Sequence, residues 1–169
     1  MKRLLLGSAA LAVAASLTVG LSSGLAATRS AGRATVAVGS TSLGRILVNS
    51  RGRTLYLFEK DKRGKSACAG GCAAYWPPLI TSAKPRATAG AKAALLGTTR
   101  RADGRLQVTY NHHPLYTFVG DTAKGQTNGE GLNNFGAGWD VLSPAGAKIE
   151  KTDATSGSGG GYGGGGYGP

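Results

Sequence analysis

The sequence predicts a mainly β fold: two tandem β-hairpin-based repeats packed into one small sandwich- or barrel-like domain, with short helical turns. Three observations point there. The segment from Gly44 to Asp61 recurs sixty residues later as Gly104 to Asp121 without a gap, and seven of its eighteen positions are identical. The identities are Gly44, Arg45, Val48, Leu55, Tyr56, Phe58 and Asp61 with Gly104, Arg105, Val108, Leu115, Tyr116, Phe118 and Asp121. A fixed period of this kind marks one small unit used twice. The apolar runs are short and rich in β-branched and aromatic residues, as strands are. Glycine- and proline-bearing turns separate them. Each unit is too small to bury a good core alone, so the two are expected to pack together within residues 36–151, as repeats of about 36–98 and 99–151.

Taken in order, Lys2 and Arg3 precede an apolar run from Leu4 to about Val19 and a small-residue site at Gly24-Leu25-Ala26. Residues 1–26 therefore read as a secretory signal peptide, cleaved after Ala26 or Ala27, since the run is shorter than the roughly 20 residues of a spanning helix. No cysteine lies near that site, so anchoring through a lipidated N-terminal Cys is not expected, and no second apolar run is long enough to span a membrane. Residues 27–35 read as a linker. Val36–Val38 and Arg45–Val48 are predicted strands, Ser50–Arg53 a turn, and Thr54–Phe58 a returning strand. Tyr56 and Phe58 share one face by period two, with Leu55 and Leu57 on the other. Cys72–Tyr75, ended by Trp76-Pro77-Pro78, and Ala89–Leu96 are the two candidate helical stretches. In the second unit Ala102-Asp103-Gly104 is a turn, Leu106–Tyr110 a strand, Asn111–Pro114 a reversal, Leu115–Val119 the return, and Trp139–Leu142 a last strand. Residues 152–169 are a Gly/Tyr-rich tail expected to be disordered, with Tyr162 and Tyr167 as its contact groups.

Asp61 and Asp121 close the pattern Tyr-x-Phe-x-x-Asp, each before a polar glycine-bearing turn. A carboxylate there accepts hydrogen bonds from turn amides. A cation site is the alternative, poorly served by one carboxylate per turn beside Lys and Arg. Cys68-Ala69-Gly70-Gly71-Cys72 reads first as a disulfide in an exported chain, with glycines permitting the tight loop. The alternative is copper binding or thiol redox chemistry. The Cys-x-x-x-Cys spacing resembles that of Sco-type copper chaperones, which add a distant His, and here the histidines are His112 and His113. That family has a thioredoxin fold, and this chain has no βαβ pattern. Zinc is weaker still, because adjacent histidines seldom both reach one tetrahedral metal. Trp76 and Trp139 follow their aspartates at similar distances, which favours two half-cores, or one core with a pseudo-twofold axis, over a sugar-stacking surface.

The chain carries a formal charge of +12, and +10 once Lys2 and Arg3 leave with the signal peptide. A basic exported protein attracts anionic envelope polymers, or serves another envelope protein as a soluble partner. No nucleic-acid motif supports specific recognition of DNA or RNA. No Gly-x-Ser-x-Gly elbow, phosphate loop, His-Glu-x-x-His or Cys-x-x-Cys-His occurs, and the carboxylates are too few and scattered to nominate a glycosidase pair. No catalytic residue and no cofactor is assigned, with copper as the alternative.

Residues Gly52–Asp61, Ser66–Cys72, Trp76–Leu79, Asp103-Gly104, Gln107–Tyr110 and Pro114–Tyr116 with Asp121 together resemble a group of exported bacterial proteins. These are described as a secreted repeat of unknown function, or as predicted lipoproteins with a Tyr-x-(Phe/Trp/Tyr)-x-x-Asp motif. The resemblance covers about residues 43–146. It implies a cell-envelope or extracellular repeat protein and no agreed activity. Many such proteins look lipid-anchored; this chain lacks the anchoring cysteine. The expected role is a non-catalytic binding or structural module, the alternative an extracytoplasmic copper-binding or thiol-redox protein.

Overall fold

A computed structural model of the chain describes residues 32–149. The segments expected to be the signal peptide and the tail, the first five residues of the expected linker and the last two residues of the expected second repeat lie outside them. The strands are β1 (Thr35–Thr41), β2 (Gly44–Asn49), β3 (Tyr56–Phe58), β4 (Ile80–Thr81), β5 (Arg86–Ala87), β6 (Leu96–Arg100), β7 (Leu106–Tyr110), β8 (His113–Pro114), β9 (Leu132–Asn134) and β10 (Ala137–Val141). One helix, α1 (Gly71–Tyr75), and a 3₁₀ turn, Ala93–Leu95, complete the set. The architecture is mainly β, in three small sheets of order β2-β1-β5, β3-β10-β9 and β4-β7-β6, with β8 sharing the β4 edge of β7. None of them closes into a barrel. β1 begins at Thr35, inside the stretch read as linker, and Ala34 before it is buried and donates its N–H to Thr81 Oγ1.

The two repeats share a plan. β1–β2 and β6–β7 are antiparallel hairpins, and each is followed by a Leu-Tyr-x-Phe segment returning across the hairpin. The ungapped match slips by one residue along β2 and β7. Leu55 N–H donates to Leu47 O, whereas Leu115 N–H donates to Val108 O rather than to Gln107 O. The second reversal is shorter: Tyr110 pairs with His113 across a two-residue turn, Asn111-His112, in which both φ are positive (46° and 65°). Such mirror-image turns match strand twist and favour Asn at the first position.

The repeats then exchange strands. β10, from the second repeat, pairs antiparallel with β3 of the first, Trp139 opposite Phe58 and Val141 opposite Tyr56. Reciprocally, Trp76–Leu79 of the first repeat runs beside Leu115–Val119 of the second, with Leu79 N–H to Leu115 O and Thr117 N–H to Pro77 O. A local twofold axis passes between Tyr56 and Tyr116, whose amides and carbonyls exchange hydrogen bonds of 2.9 and 3.0 Å. Leu115–Val119 is not the regular strand expected: Tyr116 makes isolated bridges to Tyr56 and Pro78, and Val119 already lies in a turn. The neighbour of this segment contains Pro77 and Pro78, which have no N–H to return to the ladder. β10 offers a full set of amides, so β3 is regular.

Period two holds through β3. Tyr56 and Phe58 enter one core with Ile46, Val48, Trp76 and Trp139, while Leu55 and Leu57 enter a second with Leu47, Val108 and Leu115. The Ala89–Leu96 stretch is not the expected helix. Ala89 and Gly90 sit at φ of 48° and 87°, outside the right-handed region, and only Ala93–Leu95 coils before Leu96 enters β6. Strands β4, β5, β6 and β9 have no counterpart among the sequence-predicted elements, and β8 (His113–Pro114) falls within the stretch expected as a reversal.

Candidate functional site

The motif Tyr-x-Phe-x-x-Asp becomes a reciprocal cross between repeats. Tyr56 Oη donates to Asp121 Oδ2 at 2.7 Å, and Tyr116 Oη donates to Asp61 Oδ2 at 2.8 Å. The remaining oxygens close their own loops: Asp61 Oδ1 accepts from Ala67 N–H at 2.7 Å, and Asp121 Oδ1 from Asn128 N–H at 2.9 Å. Each aspartate therefore binds the far end of its loop, not the adjoining turn, and the tyrosine of the other repeat. Burial is the larger influence on all four groups. It pushes the Asp61 carboxyl up to about 6 against the Ala67 and Tyr116 hydrogen bonds, and raises Asp121 in the same way. Burial and the facing carboxylates raise both phenols far above their usual range, so they remain protonated donors.

The aromatic rings repeat the cross. Trp76 and Trp139 are fully buried and stack face to face, centroids 3.9 Å apart and planes 2° apart. Phe58 stacks on Trp139 at 4.1 Å and Phe118 on Trp76 at 4.4 Å, giving a four-ring column. Tyr56 meets Trp76 edge-on at 5.3 Å and Tyr116 meets Trp139 at 5.2 Å. Each aromatic pair adds roughly 0.5–1.5 kcal/mol beyond its buried area. Asn134 serves both indoles: its Oδ1 accepts from Trp76 Nε1 and its carbonyl from Trp139 Nε1. Gly129 lets the backbone approach the column closely, because a Cβ there would lie 2.7 Å from Trp76 Cη2. The two tryptophans lie in the core and not on a sugar-binding surface.

Cys68 and Cys72 form a disulfide at the start of α1, and both are buried. Arg101, itself buried, ties this loop to the second repeat. It donates to Cys68 O and Gln107 Oε1 at 2.6 Å each and to Ser66 Oγ at 2.8 Å. Ser66 Oγ lies 2.8 Å from Tyr116 Oη, so the network continues into the Tyr116–Asp61 pair. A cleft of about 430 Å³ opens beside it, bordered by Ala69, Ala73, Arg101, Asp103 and Arg105. Arg105 grips Asp103 at 2.7 Å and holds its carboxyl down at about 2. Ser66 and Gln107 lie in segments that carry the family resemblance, but the sequence gives no site role to them or to Arg101 and Asn134. Their partners lie between 2 and 58 residues away with no shared pattern.

His112 is exposed in its turn. His113 is half-buried and lines a second cleft of about 350 Å³ with Asp61, Lys62 and Lys148; burial, then the charge of His112, lowers its pKa. Among the described residues, no group of three or more His, Cys, Asp or Glu is placed to hold a metal ion.

Charge is partitioned by burial. Of the sixteen Lys and Arg residues in 32–149, fourteen are exposed, Arg53 and Arg101 being the exceptions. Of the six Asp and Glu residues only Glu59 and Asp103 are exposed, and they pair with Lys148 and Arg105. Asp61, Asp121 and Glu130 are drawn inward as hydrogen-bond acceptors, Glu130 Oε2 taking Val141 N–H at 2.7 Å, and Asp140 is buried as well. Four cations, Lys60, Lys62, Arg63 and Lys65, cluster on a tight hairpin in which Lys62 and Lys65 exchange backbone hydrogen bonds around Arg63-Gly64.

The family model described as a secreted repeat of unknown function matches this chain twice, over residues 37–80 and 97–143. These spans are the two units that exchange strands. No curated protein and no solved structure matches the chain. The chain belongs to this secreted-repeat family.

Proposed function

We propose that this member of the secreted-repeat family is a non-catalytic cell-envelope module that binds anionic polymers. The reading assumes export through the N-terminal signal peptide. The observation that carries it is the partition of charge: four of the six described acids are withdrawn from the surface, the two exposed ones are ion-paired, and fourteen of the sixteen described cations are exposed. The outer face is therefore more basic than the composition alone implies, and summed surface charge of one sign draws polyanions. The rest of the molecule supports a scaffold role. The tyrosine–aspartate cross, the ring column and the Arg101 network consume their polar groups on one another. Retention of the exported, disulfide-bonded protein on immobilised polyphosphate and on purified cell walls, stepped from about 50 to 300 mM salt, tests it. Binding at low salt that weakens as the Debye length shrinks supports the reading. No retention at low salt refutes it. Loss of retention only when a bound metal is stripped would move the assignment to the copper alternative.

A further inference from the structure

Among the described residues three large hydrophobic side chains are left exposed: Tyr75 (48%), Val119 (44%) and Phe135 (43%). They are contiguous. The Tyr75 and Phe135 rings lie 6.1 Å apart, inclined at 56°, and Val119 N–H donates to Tyr75 O. Tyr75 is backed by Phe118, whose ring it meets edge-on at 5.6 Å, so the ledge is built on the end of the buried column. Phe135 occupies an unusual place. Asn134 pairs with Ala137 across the two-residue turn Phe135-Gly136, with φ of 56° and 89°. The first position of such a turn favours Asn, Asp or Gly, and a bulky side chain at positive φ there is strained. The fold thus holds an aromatic ring in an unfavourable backbone conformation and leaves it in water. Backbone strain of this kind clusters at functional sites. Lys60, first of the basic hairpin, donates its Nζ to the Phe135 carbonyl at 3.4 Å, which sets an exposed cation beside the rings.

We propose that Tyr75 and Phe135, with Lys60, form the binding site for an anionic polysaccharide, the rings stacking on sugar faces and the ammonium meeting the acid group. This deepens the polyanion reading above and rests on it. The aromatic faces suit the apolar faces of sugars, and the cation beside them suits a negative charge. Two rings and a valine are a small patch beside the roughly 800 Å² per partner of a standard protein interface. Single-stranded nucleic acid also stacks on such rings, and the experiment separates the two.

The full-length exported chain with its disulfide intact is titrated against polygalacturonate, inorganic polyphosphate and poly(dT). Phe135→Asn replaces the ring with a residue the turn prefers. It is expected to weaken polygalacturonate binding about tenfold, roughly the loss of one stacked ring. Polyphosphate binding, which depends on charge alone, stays unchanged, and the melting temperature holds or rises. Tyr75→Ser, on a different element, reproduces the loss of polygalacturonate affinity. Lys60→Gln weakens both polymers. Wild-type affinity for polygalacturonate in Phe135→Asn and Tyr75→Ser overturns the ledge while the charge reading stands. Failure of the full chain to bind either polyanion overturns both. Loss confined to poly(dT) overturns the saccharide assignment in favour of nucleic acid.

Discussion

Tyr56→Phe and Tyr116→Phe remove the same hydroxyl from the same motif, yet the surroundings predict unequal losses. Tyr56 Oη donates to Asp121 Oδ2 at 2.7 Å and accepts from Gly129 N–H at 3.3 Å. Asp121 is 1% exposed. When the hydroxyl goes, a buried carboxylate oxygen and a buried amide both lose a partner, and water has no ready access to either. A hydrogen bond to a charged group contributes about 1.5–3 kcal/mol, and an orphaned buried group adds its own desolvation penalty. Tyr56→Phe should therefore cost about 3–4 kcal/mol. Asp61 is only half-buried and keeps its Ala67 bond, and Ser66 keeps Arg101, so water can replace the Tyr116 hydroxyl. Tyr116→Phe should cost about 1–1.5 kcal/mol, within the range for a partly solvated hydrogen bond. The assay is urea unfolding of the oxidised protein at pH 7, compared at constant m-value. Adding Asp121→Asn and Asp61→Asn in double-mutant cycles isolates each pair, with the larger coupling expected for Tyr56–Asp121. Equal losses for the two tyrosines, or a larger loss at Tyr116, would refute the claim that burial of the partner carboxylate decides the strength of the cross.

Asp61 has its folded pKa raised by burial to about 6, so its contribution to stability is fully present below pH 4 and lost as the pH rises through about 6. Asp61→Asn should flatten the fall of unfolding free energy across pH 4–6; Asp103 and Glu59, with lowered pKa values, act below that window with the opposite sign. Trp139→Ala, which removes a central ring of the column, should cost about 3–5 kcal/mol and abolish the near-ultraviolet dichroism of the stacked indoles; a retained signal would mean that the 3.9 Å stack is not its source. Reducing the disulfide should lower stability by about 2 kcal/mol, the chain-entropy value for so small a loop, and a loss of all cooperative unfolding would show that the bridge holds more than its own loop. Residues 27–90 and 91–151, divided ahead of the β6–β7 hairpin, should each lack a cooperative unfolding transition when expressed separately and recover one on mixing, because each Tyr-x-Phe segment takes its neighbouring strand from the other repeat; an independently folded half would contradict the exchange.

Family and class were legible from local pattern. The sixty-residue period, the alternation through Thr54–Phe58 and the turn chemistry required only neighbouring residues, because hairpins and period-two faces are set by local backbone geometry. What failed locally did so for identifiable reasons. Ala89–Leu96 has helix-forming composition, but two positive φ values and pairing of Leu96 with Tyr110 overrode it. Leu115–Val119 reads like its counterpart in the first repeat, but its partner carries two prolines. The short strands β4, β5 and β9 are extended only because another segment is available to pair with them, which short-range propensity does not encode.

The sequence by itself determined that two copies of one unit exist, that each carries a tyrosine, a phenylalanine and an aspartate at fixed spacing, and that basic residues outnumber acidic ones. Only the tertiary structure decided which tyrosine meets which aspartate. Both Asp61 and Asp121 lie five residues beyond a tyrosine of their own repeat, yet each accepts from the other one, 55 and 65 residues away. The physical reason is that the exchanged strands bring each Trp-bearing segment and each loop across the local twofold axis, and a buried carboxylate binds whichever donor that packing delivers. The same packing decides which charges reach water: Asp121, Glu130 and Asp140 are enclosed together with Arg101, while fourteen of the sixteen Lys and Arg residues in 32–149, with their long apolar stems, remain exposed.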